Sequence, residues 1–118
     1  MNPLSWQTAL ESEMRAAQKA WIEQNDGRAR ACVRRAVGII LSEYNRAHNK
    51  EIITGKTALD RLRHVASDSR FPEEIRKAAT RLTTNVNQRL TPHFTFHPLN
   101  DANILIVFFQ NEMARPEF

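Results

Sequence analysis

A single cysteine, Cys32, occurs among the 118 residues, so no disulfide can close within the chain. Glycine is almost as scarce. Three glycines and five prolines, set against 42% hydrophobic and 25% charged residues, exclude low-complexity and collagen-like chains and fit one compact domain over residues 1–118. Long apolar runs are missing too: the longest, from Ile104 to Phe109, is far shorter than the roughly 20 residues a helix needs to cross a bilayer. The first residues, MNPLSWQTALESEM, lack the basic-then-apolar pattern of a secretory signal. Together these absences favour a cytoplasmic protein without a membrane span. A domain of this length removes roughly two-thirds of its unfolded surface from water, enough for a core that needs neither metal nor disulfide; no cofactor is expected.

What is present is charge, unevenly placed. Seventeen Lys and Arg outweigh thirteen Asp and Glu, a net +4. All of that excess lies between Gly27 and Asn49, where Arg28, Arg30, Arg34, Arg35 and Arg46 face only Glu43. A local basic surface favours anionic partners such as RNA, DNA or an acidic protein face.

Apolar residues recur at helical spacing nearly throughout, with Gly and Pro between those stretches, which predicts an all-α single-domain antiparallel bundle of about five helices. The first is expected over 3–24, with Asn2 as N-cap, Pro3 in the first turn and a narrow stripe of Trp6, Leu10, Met14, Ala17 and Trp21. Asn25-Asp26-Gly27 should end it, with Gly27 supplying the permissive backbone and Asp26 capping the next helix. That second helix, over 27–48, carries Ala29, Cys32, Val33, Ala36, Val37, Ile40 and Tyr44 on a broad apolar arc and reads as the central element. Thr57 and Asp60 form a capping-box-like pair opening a short third helix, and Pro72-Glu73-Glu74 open a fourth, expected to reach Leu90.

The fifth helix, starting at Pro98 or Asn100 and reaching Met113, is the element most open to another reading, because Ile104 to Phe109 also suits a buried strand. A lone strand would find no pairing partner, so a helix is expected. On it, Ala102, Leu105, Ile106, Phe109 and Met113 form one apolar face, while Ile104, Val107 and Phe108 form another. The second face is covered either within the chain or by a second copy, and a homodimer through Ile104, Val107 and Phe108 is the expectation carried forward.

No arrangement of residues in the sequence spells out a reaction. On a helical wheel Arg28, Arg35 and Arg46 border one edge of the second helix's apolar arc and Arg30 with Arg34 the other, which suits either snorkelling side chains or an anion-binding edge. Glu43 falls inside the arc, within reach of Arg46, and reads as a structural ion pair. His93 and His97 have a metal-like spacing, but Pro92 and Pro98 place them on a loop with no flanking ligand, so no metal is expected. Cys32 reads as core. The most informative spot is the predicted end of the fourth helix, where Asn85 and Arg89 lie one turn apart and His93 follows; a guanidinium there needs a carbonyl, a carboxylate or a bound phosphate.

The segments GRARACVRRAVGIILSEY, TALDRLRHVA, FPEEIRKAATRL and PLNDANILIVFF, in that order, resemble the HEPN-like group of small bacterial helical-bundle proteins. The resemblance implies an all-α bundle that often dimerises, and either a metal-independent RNase or a non-catalytic binding module. For the RNase it implies an arginine and a following histidine, carried here by Arg89 with His93 or His97; the nuclease spacing of four to six intervening positions is matched by neither, and Pro92 interrupts the helix between. The sequence therefore favours a non-catalytic module for a protein or anionic ligand, with Asn85, Arg89, Arg30 and Arg34 as candidate ligand contacts. The HEPN-type RNase and nonspecific nucleic-acid binding through the second helix remain the alternatives.

Overall fold

A computed structural model describes residues 5–84 and 97–115 of the chain. Among them every regular element is a helix: α1 (Ser5–Ile22), α2 (Asp26–His48), α3 (Ala58–Ser67), α4 (Glu73–Thr83) and α5 (Pro98–Met113). The all-α bundle anticipated from the periodicity is what forms. α2 lies at its centre against α1, α3 and α5, while α4 bridges α3 and α5. Its apolar arc from Ala29 to Tyr44 is buried as expected, and so is Cys32. None of the described helices is long and apolar enough to cross a membrane.

The N-terminal caps follow the sequence in part. Thr57 caps α3, its hydroxyl accepting the Asp60 N–H at 3.1 Å, and Pro72 with Glu73 opens α4 as anticipated. At the start of α2, however, Asn25 rather than Asp26 is the cap, accepting the Arg28 N–H, and Gln24 rather than Gly27 takes the left-handed backbone. Gly27 is helical. Displaced from the cap, Asp26 becomes the first residue of α2, where its carboxylate faces the positive helix end and pairs with Arg30 at 2.9 Å. Asn2 and Pro3 lie outside the described residues.

The larger correction is α4, which ends at Thr83 instead of running to Leu90. Thr84 is extended, and its hydroxyl turns back onto the Thr80 carbonyl at 3.0 Å. Arg34 of α2 fastens that end, donating from Nε to the Leu82 carbonyl at 2.8 Å and from Nη2 to the Thr84 carbonyl at 3.4 Å. A guanidinium at a helix C-terminus satisfies orphan carbonyls and opposes the negative end of the macrodipole. Helical periodicity in the sequence continues past Thr83, but periodicity does not see a cap supplied from 48 residues away.

α5 is a helix, and its two apolar faces are unequally covered. Ala102, Leu105, Ile106 and Phe109 are buried, whereas Ile104 and Phe108 are half-buried and Val107 is 53% exposed. The described residues therefore do not enclose Val107. α5 is tied to α4 by a forked ion pair, in which Arg81 Nε and Nη2 donate to both oxygens of Asp101 at 2.7–3.0 Å. Asp101 is 4% exposed. α3 approaches α2 closely at Gly38, where an added Cβ would come within 2.7 Å of the Ala58 Cβ.

Asp101→Asn would leave the Arg81 guanidinium without its counter-charge. We expect it to lower the urea unfolding free energy by about 2 kcal/mol, below the full value for breaking a buried pair because Arg81 retains some solvent. The double variant Arg81→Met/Asp101→Leu should lose less than Asp101→Asn alone; a double variant that is the less stable of the two would show that the pair acts otherwise.

Candidate functional site

The expected site residues separate in space. Arg30 and Arg34, on the inner edge of the α2 arc, hold helix ends: Arg30 is 5% exposed and bonded to Asp26, and Arg34 caps α4. Burial, together with the positive charges of Arg30 and Arg63, pushes the Arg34 guanidinium down from its ordinary pKa. On the outer edge Arg35 bonds Glu13 at 3.0 Å and Arg46 bonds Glu43, the pairing the sequence suggested for Glu43. The outer arginines are thus partly neutralised. His97 is the N-cap of α5, Nδ1 accepting the Asn100 N–H at 3.1 Å, with its ring 5.3 Å from that of Trp21. Asn85, Arg89 and His93 lie outside the described residues. Within the described residues, no three His, Cys, Asp or Glu side chains gather as metal ligands.

A different constellation forms at the C-terminal end of α2. Asn45 organises it. Its side-chain amide donates to the Ile53 carbonyl and accepts the Ile53 N–H, both at 2.8 Å, so one buried side chain satisfies both backbone groups of a loop residue. Asn49 ends α2 in the left-handed conformation, and Ile53 is wholly buried. The loop from Lys50 to Ile52 is thereby held along the flank of α2.

The turn between α3 and α4 supplies the opposite wall. Asp68 ends α3 and gathers three donors: its carboxylate accepts the Arg70 N–H at 3.0 Å and the Arg70 guanidinium at 2.6–3.1 Å, and it lies 2.9 Å from His64 Nε2. The Thr54 N–H and hydroxyl stand 3.3 and 2.9 Å from His64 Nδ1. Nδ1 is therefore the acceptor, and the ring proton sits on Nε2, facing Asp68. The Arg70 guanidinium, helped by the Arg70 N–H and by His64, holds the Asp68 carboxyl far below the usual carboxylate range. This chain of bonds, Thr54 to His64 to Asp68 to Arg70, joins the loop after α2 to the α3–α4 turn and presents Arg70 and Phe71 side by side.

Between these walls and α5 lies a groove of about 650 Å³, within the size range of small-molecule sites. Its apolar surface comes from the rings of Tyr44, Phe71 and Phe108 together with Ile52 and Pro72. Edge-to-face contacts hold the rings: Phe109, fully buried beneath, stands 5.0 Å from both Tyr44 and Phe108 and 5.5 Å from Phe71. Lys50, Arg70 and Arg115 rim it, with Glu51 and Glu112. Arg70 is committed to Asp68, and Arg115 to Glu112 at 2.8 Å. Lys50 has no ion pair among the described residues. Burial, reinforced by Glu112, pushes the Tyr44 phenol up from its ordinary pKa. His48 Nδ1 donates to the Tyr44 carbonyl at 2.9 Å, and the two rings are 4.3 Å apart.

Sequence reasoning passed over this groove. Tyr44 and Phe108 were legible as apolar positions, but nothing local joined them to Lys50, Arg70, Phe71 or Arg115. The one available signal was the spacing of Phe108 and Glu112, one turn apart on α5, with Arg115 three residues on, just past its end. Comparison with family models, with curated proteins and with solved structures returns no match to this chain.

The Asp68 network has a defined pH signature. Because folding lowers the Asp68 pKa, its contribution is complete above the ordinary carboxylate value of about 4 and is lost as pH falls toward the depressed folded value. The urea midpoint of the wild type should therefore exceed that of Asp68→Asn by less and less from about pH 5 to about pH 2. A gap that stays constant across that range would contradict the assignment.

Proposed function

We propose that the protein is a non-catalytic binding module whose groove at the end of α2 takes a small ligand that combines a flat apolar body with an anionic group. The observation that carries this is the placing of the Tyr44, Phe71 and Phe108 rings beside Lys50, an ammonium without an ion-pair partner among the described residues. Flat π-systems pack on such rings, and an anion beside an ammonium gains a charge-assisted hydrogen bond. The HEPN-like resemblance, which takes in non-catalytic modules, supports the same reading.

Adenosine 5′-monophosphate and phenyl phosphate are suitable probes in a protein-observed NMR titration. We expect shifts at Tyr44, Phe71 and Phe108, an affinity reduced about fivefold by Lys50→Ala, weaker binding as salt rises, and a nucleotide recovered unchanged. If neither compound shifts these resonances, or Lys50→Ala binds as well as wild type, the assignment fails.

We also propose that a second copy covers the outer face of α5. The exposed positions there, Asn100, Asn103, Val107, Gln110 and Asn111, carry no charge, and Ile104 and Phe108 are only half-buried beside them. A two-fold contact sets a surface against itself, so a chain of net +4 needs an uncharged strip to do so without self-repulsion, and interface centres are depleted in charge in the same way. Light scattering should give a dimer mass that Val107→Asp converts to monomer; a monomeric wild type at millimolar concentration would remove the proposal.

A further inference from the structure

A second groove, of about 620 Å³, runs between α1, α2 and α3 on the other flank of the central helix. Its walls are apolar, from Trp6 and Ala9 of α1, Ile39 of α2 and Ala58 of α3, and the bare backbone of Gly38 lies among them. The two carboxylates at its edges are already matched, Glu13 by Arg35 and Glu43 by Arg46. One charge is left over. Arg61 of α3 meets no carboxylate among the described residues; it donates Nη1 to the Ser42 hydroxyl, and its Nε–H is buried with no acceptor at all. Arg61 also lines the shallow depression beside Asn45 and Arg46, so it stands at the end of the apolar groove rather than in its middle.

A buried guanidinium donor without a partner is uncommon, because the lost hydration is not replaced. The Nε–H is shielded, so a ligand in the groove meets the rest of the Arg61 head, and a carboxylate matches the two-pronged edge of a guanidinium better than any neutral group. The groove leading to it offers no other unmatched charge, so a suitable ligand has one anionic head and an otherwise apolar body. Ala9 and Ala58 keep the walls of the groove low.

We propose that the α1–α3 groove binds a medium-chain aliphatic carboxylate, with its head on Arg61 and Ser42 and its tail along Trp6, Ala9 and Ile39. This site is separate from the aromatic groove and does not depend on the reading given to that groove.

The test is calorimetric titration of the full chain with decanoate below its micelle concentration, with decanol and decyltrimethylammonium as controls of equal tail length. Decanoate should bind at least tenfold more tightly than either control. Arg61→Met should abolish that preference while the variant keeps its helical circular dichroism, since Arg61 has no ion pair to lose among the described residues. Ala9→Glu, an exposed position on α1, should abolish binding by placing a negative charge beside the tail. The proposal is overturned if decanoate does not bind, if the three amphiphiles bind equally, if either variant binds decanoate as the wild type does, or if Lys50→Ala rather than Arg61→Met removes the preference.

Discussion

The fold is governed by how much of α2 has to be kept from water. Eleven of its 23 residues are buried, and they include Arg30, Glu43 and Asn45 as well as the apolar arc. A helix buried this widely needs neighbours on several sides, and α1, α3 and α5 supply them. The three polar residues carried inward with the arc each require a partner, because an unmatched buried polar group costs more than a hydrogen bond gains. Each finds one close by in sequence: Asp26 for Arg30, Arg46 for Glu43 and the Ile53 backbone for Asn45. The last of these draws the loop after α2 against the bundle and so creates the rim of the aromatic groove.

Legibility in the sequence followed the range of the interaction. The α2 arc, the Thr57 cap and the Glu43–Arg46 pair are set by residues within one helical turn, and each stands where periodicity and capping chemistry put it. The end of α4 is fixed by Arg34 from α2, and the apolar stripe that continues past Thr83 carries no trace of it. The α1–α2 junction failed for a subtler reason. Gly27 is the residue best suited to left-handed backbone, yet Gln24 adopts it, because Asn25 caps α2 and the turn must fall just before the cap.

The groove residues show the same division. Tyr44 and Phe108 were recognisable one helix at a time, but the site exists only where the end of α2, the Asp68 turn and α5 meet. Charge composition was a poorer guide than charge pairing. The arginine surplus of α2 marked that helix as a binding element, yet Arg30, Arg34, Arg35 and Arg46 are engaged within the protein. The two cations that line the grooves without a carboxylate partner among the described residues, Lys50 and Arg61, lie outside α2.

The contact between Gly38 and Ala58 bears on how such a sequence can drift. Any side chain at position 38 runs into the methyl group at position 58, so the two sites cannot vary independently. A change at 58 to glycine is sterically open at any time, whereas a change at 38 becomes open only afterwards. Descendants of this chain that carry alanine at 38 should therefore have passed through glycine at 58, an order of substitution imposed by one interhelical spacing.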